Sequence, residues 1–144
     1  MQHKFLFEER AWKTKGTYVD EKGRKNSVTG VTSIKHGFGK WEISGEMIVP
    51  LKGDKSLELR NIYRVKPMKP GQTETTWSCE NKIVGKFTGR FFIANDTIVS
   101  TYATKDGKYR GFETFKWVGG VRYENEGQDF FEDKKISSWS LILS

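Results

Sequence analysis

Residues 98–117 read IVSTYATKDGKYRGFETFKW, and their pattern decides the fold class. Two β-rich runs flank Asp106-Gly107, a pair that signals a tight hairpin because both residues tolerate the positive φ such turns need. Period-two alternation places Ile98, Ser100, Tyr102 and Thr104 on one side of the first arm. The same side of the second arm takes Tyr109, Gly111, Glu113, Phe115 and Trp117. Lys108, Arg110, Thr114 and Lys116 point the other way, and only Phe112 departs from that polar set. One face therefore mixes large aromatics with a few polar groups, the make-up of a ligand cavity rather than of a plain core.

The same alternation recurs on either side. Downstream, Gly119-Gly120 precedes a strand over residues 121–126, a charged loop over 127–135 and a last strand over 136–143. Upstream, residues 86–93 form a strand with Phe87, Gly89 and Phe91 inward in preference to Phe92, joined to the hairpin by Asn95-Asp96. Thr75, Trp77 and Cys79 alternate with Glu74, Thr76, Ser78 and Glu80. Residues 56–66 set Leu57, Leu59, Asn61, Tyr63 and Val65 against Glu58, Arg60 and Arg64. Pro67 and Pro70 end that strand, since proline cannot donate to a ladder. A Lys52-Gly53-Asp54 turn separates it from residues 41–49, whose inner phase holds Trp41, Ile43, Gly45, Met47 and Val49. Strands over 27–35 and 12–18 complete the set, the latter with Trp12, Thr14, Gly16 and Tyr18 inward. Residues 2–10 are expected to form a short helical turn carrying Phe5, Leu6 and Phe7, with His3 at the surface or disordered.

About ten strands joined by short turns, with almost no helix, predict an all-β fold: a closed antiparallel up-and-down barrel of about 8–10 strands, preceded by the short helical turn. Closure removes the exposed edges of a long meander. Inner-phase glycines at 16, 30, 45, 89 and 111 supply the bends a closed sheet requires. The 144 residues are read as one domain, and a barrel of this size leaves room inside for one small ligand.

Composition narrows the function classes. Hydrophobic residues make up 35% of the chain but aromatics 14%, so the interior is built from few, large side chains. No apolar run approaches the ~18 residues of a helical membrane span. Phe5-Leu6-Phe7 is too short for the apolar core of a secretory signal, and Cys79 is the lone cysteine, so a reducing, cytoplasmic location is expected. Cys79 itself reads as a small buried hydrophobe rather than a nucleophile. The net charge is +7, with 15 basic and 8 acidic residues up to Gln72 and 10 of each afterwards. Because the lysines sit mainly in turns and are interrupted by acids, this reads as solvated loop charge, and a nucleic-acid partner is not expected. No Cys/His cluster, phosphate-binding loop or nucleophile elbow is present, so no metal and no cofactor are expected.

In architecture the chain resembles the calycins, the lipocalin-like and fatty-acid-binding-protein-like barrels. The residues that carry the resemblance are the early turn, Trp12 on the first strand and the run of hairpins to the C-terminus. Lipocalins usually open with Gly-x-Trp; here the segment is Arg10-Ala11-Trp12. The resemblance implies that Trp12 packs across one end of the barrel and that the interior binds a small molecule. Nitrobindin-like barrels carry Gly-x-Trp-x-Gly-x-Gly and a haem-ligating histidine near the C-terminus. This chain keeps only Trp12 and Gly16 of that pattern, and its histidines are His3 and His36, so no residue inherits the ligand role. Intracellular lipid-binding proteins hold a carboxylate with Arg-x-Tyr in the last strand, and residues 136–144 contain neither residue.

The expected lining is Trp41, Asn61, Tyr63, Trp77, Tyr102, Glu113, Phe115 and Trp117, with His36 at the barrel mouth. Glu113, in an otherwise aromatic phase, either serves a ligand or belongs to a structural network with Tyr102, Arg90 or Asn61. Asn61 interrupts an apolar face, and an unpaired buried amide costs roughly 1–3 kcal/mol, so it needs a partner. His36 is either an acid, base or ligand, or a half-exposed strand-end residue. Three functions follow: binding of a small hydrophobic or aromatic molecule, an enzyme using Glu113 or His36 as acid/base, or a filled barrel interacting through its basic N-terminal half.

Overall fold

A computed structural model describes residues 2–50 and 53–144. Lys52, assigned above to a turn, lies outside the described residues. Ten strands follow one another: β1 (Arg10–Val19), β2 (Lys25–Gly37), β3 (Lys40–Pro50), β4 (Ser56–Val65), β5 (Glu74–Asn81), β6 (Gly85–Ala94), β7 (Thr97–Thr104), β8 (Tyr109–Gly119), β9 (Arg122–Phe131) and β10 (Lys134–Leu143). Each pairs antiparallel with the next, and β1 pairs with β10, closing an up-and-down barrel. No helix among the described residues is long and apolar enough to cross a membrane.

The inner phases are those the alternation implies. Trp12 and Thr14 on β1, Val28 and Ile34 on β2, Phe87 and Phe91 on β6, and Ile98 and Ser100 on β7 are all buried. Residues 127–131 differ from expectation. They continue β9 instead of forming a loop, and β10 begins at Lys134 after the two-residue Glu132-Asp133 turn. The inner phase of β9 is Tyr123, Asn125, Gly127 and Asp129, too polar to read as a strand face from alternation alone. The β7–β8 connection is also looser than a two-residue hairpin. Four residues, 105–108, close it, with Gly107 at φ +74° and the Asp106 carboxylate accepting from the Thr104 hydroxyl at 2.7 Å.

One end of the barrel is plugged by the N-terminal segment. Its turn is a single loop closed by Glu8 N–H donating to Lys4 C=O at 3.0 Å, too short to be a helix. Phe5 and Leu6 are buried completely, and Phe5 stacks on Phe115 at 4.4 Å and lies against Trp12 and Tyr123. Trp12, 0% exposed, therefore packs across this end, as the resemblance implies. His3 is neither exposed nor disordered: it is 3% exposed and bridges two distant elements. Asn95 C=O can only accept, so His3 Nε2–H donates to it (2.6 Å) and Nδ1 accepts from the Tyr123 hydroxyl (2.8 Å). The same hydroxyl accepts from the Lys4 and Phe5 amides. That network ties the chain start across the barrel, which an argument from terminal position alone cannot anticipate.

Candidate functional site

With one end plugged, the other half of the interior is lined by side chains that keep some accessible surface. These include Tyr18, Met47, Leu59, Tyr63, Tyr102, Tyr109, Glu113, Asp129 and Trp139. A depression of about 550 Å3 between the β5–β6 and β7–β8 turns borders this mouth and shares Tyr109 with it.

Three inner glycines shape the wall, each by the same device. On β6, Gly89 stands opposite Trp77 of β5, and the indole crosses it to donate to the Ser100 hydroxyl of β7 at 3.1 Å. On β8, Gly111 stands between Tyr102 of β7 and Asp129 of β9, and the phenol crosses it to donate to Asp129 Oδ1. On β9, Gly127 stands between Glu113 of β8 and Trp139 of β10, and that indole crosses it to donate to Glu113 Oε2 at 3.2 Å. A Cβ at these glycines would fall 2.3, 2.5 and 2.2 Å from the crossing ring or its hydroxyl. Gly89 and Gly111 are thus cradles for aromatic rings more than sites of bending. Gly16 and Gly30 instead meet neighbouring-strand carbonyls, of Ser140 and Glu46.

The two acids differ in their surroundings. Asp129 is held by three hydroxyls: Tyr102 on Oδ1, with Tyr109 at 2.6 Å and Ser137 at 3.4 Å on Oδ2. Burial pushes its carboxyl up, and the hydroxyls oppose that shift. Glu113 receives Asn125 Nδ2 (3.3 Å) and Trp139 Nε1 (3.2 Å) on a single oxygen, Oε2. Its Oε1 takes no donor among the described residues. Burial in the aromatic wall raises Glu113 from 4.5 to about 7, with the Asp129 charge adding to the rise and the two donors opposing it. Burial foremost, and then the carboxylates, keep the Tyr63 and Tyr102 phenols protonated far above their ordinary range. These phenols stay protonated and do not act as bases.

Of the residues expected to line the cavity, the fold brings Asn61, Tyr63, Trp77, Tyr102 and Glu113 to one region. Tyr63 and Tyr102 rings lie 5.1 and 5.5 Å from Trp77. The partner Asn61 requires is Asn81, whose Nδ2 donates to Asn61 Oδ1 at 2.9 Å. Trp41, Phe115 and Trp117 stand at the plugged end instead. Phe115 lies under Phe5, Trp117 beside His3 and Tyr123, and Trp41 beside Phe7 and His36. His36 is also at this end and not at the open mouth. It stacks on Trp41 at 4.1 Å, its Nε2–H donates to Leu6 C=O at 2.7 Å, and its amide donates to Glu9. A histidine so committed anchors the plug and is remote from Glu113. Sequence reasoning missed Asp129, Asn125 and Trp139. The available signal was Gly127 in phase with Asn125 and Asp129, a strand face disguised by polarity. Cys79 is buried, and desolvation raises its thiol, which leaves it unreactive. Among the described residues no three His, Cys, Asp or Glu side chains converge as a metal site would require.

Comparison with solved structures reveals a likeness over most of the chain. The S-type phycobiliprotein lyase CPES from Guillardia theta superposes with a TM-score of 0.66, covering 94% of this chain and 86% of the lyase at 9% identity. The fold is consistent with a calycin-type barrel. At that identity the likeness concerns the fold alone. A putative AttH protein from Nitrosomonas europaea aligns at 10% identity with a TM-score of 0.28, over 92% of this chain and 49% of the other. No family model and no curated protein sequence matches the chain.

Proposed function

We propose that the open half of the barrel binds a small, flat, partly aromatic molecule carrying an N–H or cationic group that meets Glu113. One observation carries this reading: Glu113 Oε1 takes no donor among the described residues although Oε2 takes two, in a wall rich in aromatic rings. Oε1 is not among the sealed atoms that lack a partner, which are Trp12 Nε1 and Thr14 Oγ1 among the described residues, so it is within reach of a molecule that enters the barrel. Asp129 has both oxygens satisfied, enclosed by Tyr102, Tyr109 and Ser137, and serves the wall. Aromatic surface supplies affinity and the free oxygen supplies orientation, the usual division of labour in a small-molecule site. That a protein of this fold is a phycobiliprotein lyase is compatible with ligand work inside the barrel.

A second reading, acid–base chemistry on the bound molecule, is favoured by Glu113 alone, since a carboxyl raised to about 7 exchanges a proton near neutral pH. His36 has no part in it, being held at the plug.

The test uses two flat dyes, cationic proflavine and neutral Nile red, followed by quenching of tryptophan fluorescence. Proflavine is expected to bind saturably and more tightly as pH rises through 7, and to lose about tenfold or more in Glu113→Gln. Nile red is expected to bind with little change in that variant. Equal affinities of Glu113→Gln and the native chain for proflavine would sink the proposal. Native mass spectrometry and an absorption spectrum of the purified protein would then identify any copurified molecule.

A further inference from the structure

A depression of about 960 Å3 lies outside the barrel, across the outer faces of β4 to β8. Two cross-strand ranks form it. The first runs Arg64, Ser78, Thr88, Ala103, Arg110 from β4 to β8. The second runs Thr76, Arg90, Thr101, Phe112, headed by Lys66, whose amide donates to Thr76 C=O. Small side chains on β5, β6 and β7 make a floor rich in hydroxyls. Arg64 and Lys66 stand on one side, Arg110 and Phe112 on the other, and Arg90 rises between. With strands ~4.8 Å apart, β4 and β8 are about 19 Å from each other measured along the curved sheet.

Two of the charges in this trough, Arg64 and Arg110, are free of carboxylates within ion-pair distance among the described residues. Arg90 pairs with Glu74 at 2.6 Å. Glu42 stands opposite Arg64 across the β3–β4 ladder without reaching it. Arg110 is held in position, its guanidinium 4.9 Å over the Phe130 ring and donating to Glu132 C=O at 3.4 Å. Phe112 beside it is 43% exposed and lies parallel to the Phe130 ring at 6.4 Å.

We propose that this trough binds a short run of single-stranded nucleic acid, with phosphates on Arg64, Arg90 and Arg110 and a base stacked on Phe112. Guanidinium forks match phosphate oxygens two at a time, which lysine cannot do. Serine and threonine hydroxyls on the floor donate to the same backbone. An exposed ring flanked by arginines offers a base the stacking platform that sequence-tolerant strand binders use. An acidic peptide would use the cations but leave Phe112 idle, and a duplex would be too stiff to lay a base on it. The net charge of +7 supplies the long-range attraction. The basic residues that matter come from both halves of the chain and sit on strands, so the turn lysines that dominate the sequence count are not those that cluster.

Fluorescence anisotropy of labelled oligothymidine and oligouridine tests this, with labelled poly-glutamate and a DNA duplex as competitors. Binding is expected at low salt and to weaken steeply between roughly 50 and 200 mM salt. An Arg64→Ala/Arg110→Ala variant is expected to bind at least about tenfold more weakly, with the salt slope lowered by about two. Phe112→Ala is expected to weaken oligonucleotide binding about five- to tenfold and to leave poly-glutamate unaffected. Arg64→Lys/Arg110→Lys, which keeps charge and folding but loses the forks, separates a binding defect from a folding one. The proposal is overturned if no oligonucleotide binds at low salt. It is equally overturned if the arginine variants bind as the native chain does. Poly-glutamate or duplex competing as well as oligonucleotide, with Phe112→Ala silent, would reassign the trough to an acidic protein surface.

Discussion

Glu113 shows how a single buried acid links stability to function. Its carboxyl is raised to about 7 inside the barrel and releases its proton near 4.5 when the chain is unfolded. Between those values the folded state holds a proton that the unfolded state has lost, so unfolding free energy falls as pH rises. Below pH 4.5 both states are protonated and above 7 both are ionised, so the loss is confined to that window and amounts to about 3 kcal/mol. Glu113→Gln keeps an oxygen to accept from Asn125 and Trp139 while removing the charge. Urea unfolding at pH 5 and at pH 8 is therefore expected to show the variant more stable than the native chain at pH 8 and nearly equal below 4.5. A variant less stable at both values would mark Glu113 as a structural strut. The sequence singled out Glu113 because it interrupts an aromatic phase. Its partners were invisible: they lie on β9 and β10, and one of them reaches it across a strand.

At the scale of elements, the strands owe their interior to crossings over glycine. Trp77 over Gly89, Tyr102 over Gly111 and Trp139 over Gly127 each join strands that are not neighbours. Gly127→Ala would put a methyl 2.2 Å from Trp139 Cζ2 and displace the indole from Glu113. It is expected to cost about 1–3 kcal/mol and to shift tryptophan emission to the red. Gly45→Ala is the matched control, because nothing lies within 4 Å of that added carbon. It is expected to be neutral or to stabilise by up to about 1 kcal/mol, since alanine restricts the unfolded chain. Equal losses in the two variants would show that strand glycines are needed for backbone reasons and not as ring cradles. Period-two alternation identified β1 to β8 well enough to place their inner phase, and gave β10 without one. It failed on the second half of β9 because the polar inner face of Asn125, Gly127 and Asp129 is satisfied by partners on other strands, which alternation cannot show.

For the whole molecule, closure is uneven. β3 and β4 pair along their full length, whereas β4 and β5 pair only at Tyr63–Cys79, Arg64–Ser78 and Val65–Trp77. The first half of β4 has no ladder on that side, so its outward-facing amides depend on solvent. Hydrogen exchange is expected to be on the order of a hundredfold faster for those amides in residues 56–61 than for residues 98–100 of β7, which are paired on both sides. Uniform protection around the barrel would contradict that seam. The chain by itself determined the antiparallel meander, the inward phase of its strands and the aromatic, partly polar character of the interior, because alternation and turn residues are local properties with a fixed period. Only the tertiary structure decided which end is plugged, that His3 and His36 hold the plug, that Asp129 and Trp139 join Glu113, and that Arg64, Arg90 and Arg110 share one outer trough. Those are consequences of strand register, which brings together residues far apart along the chain, and register is set by all the strands at once.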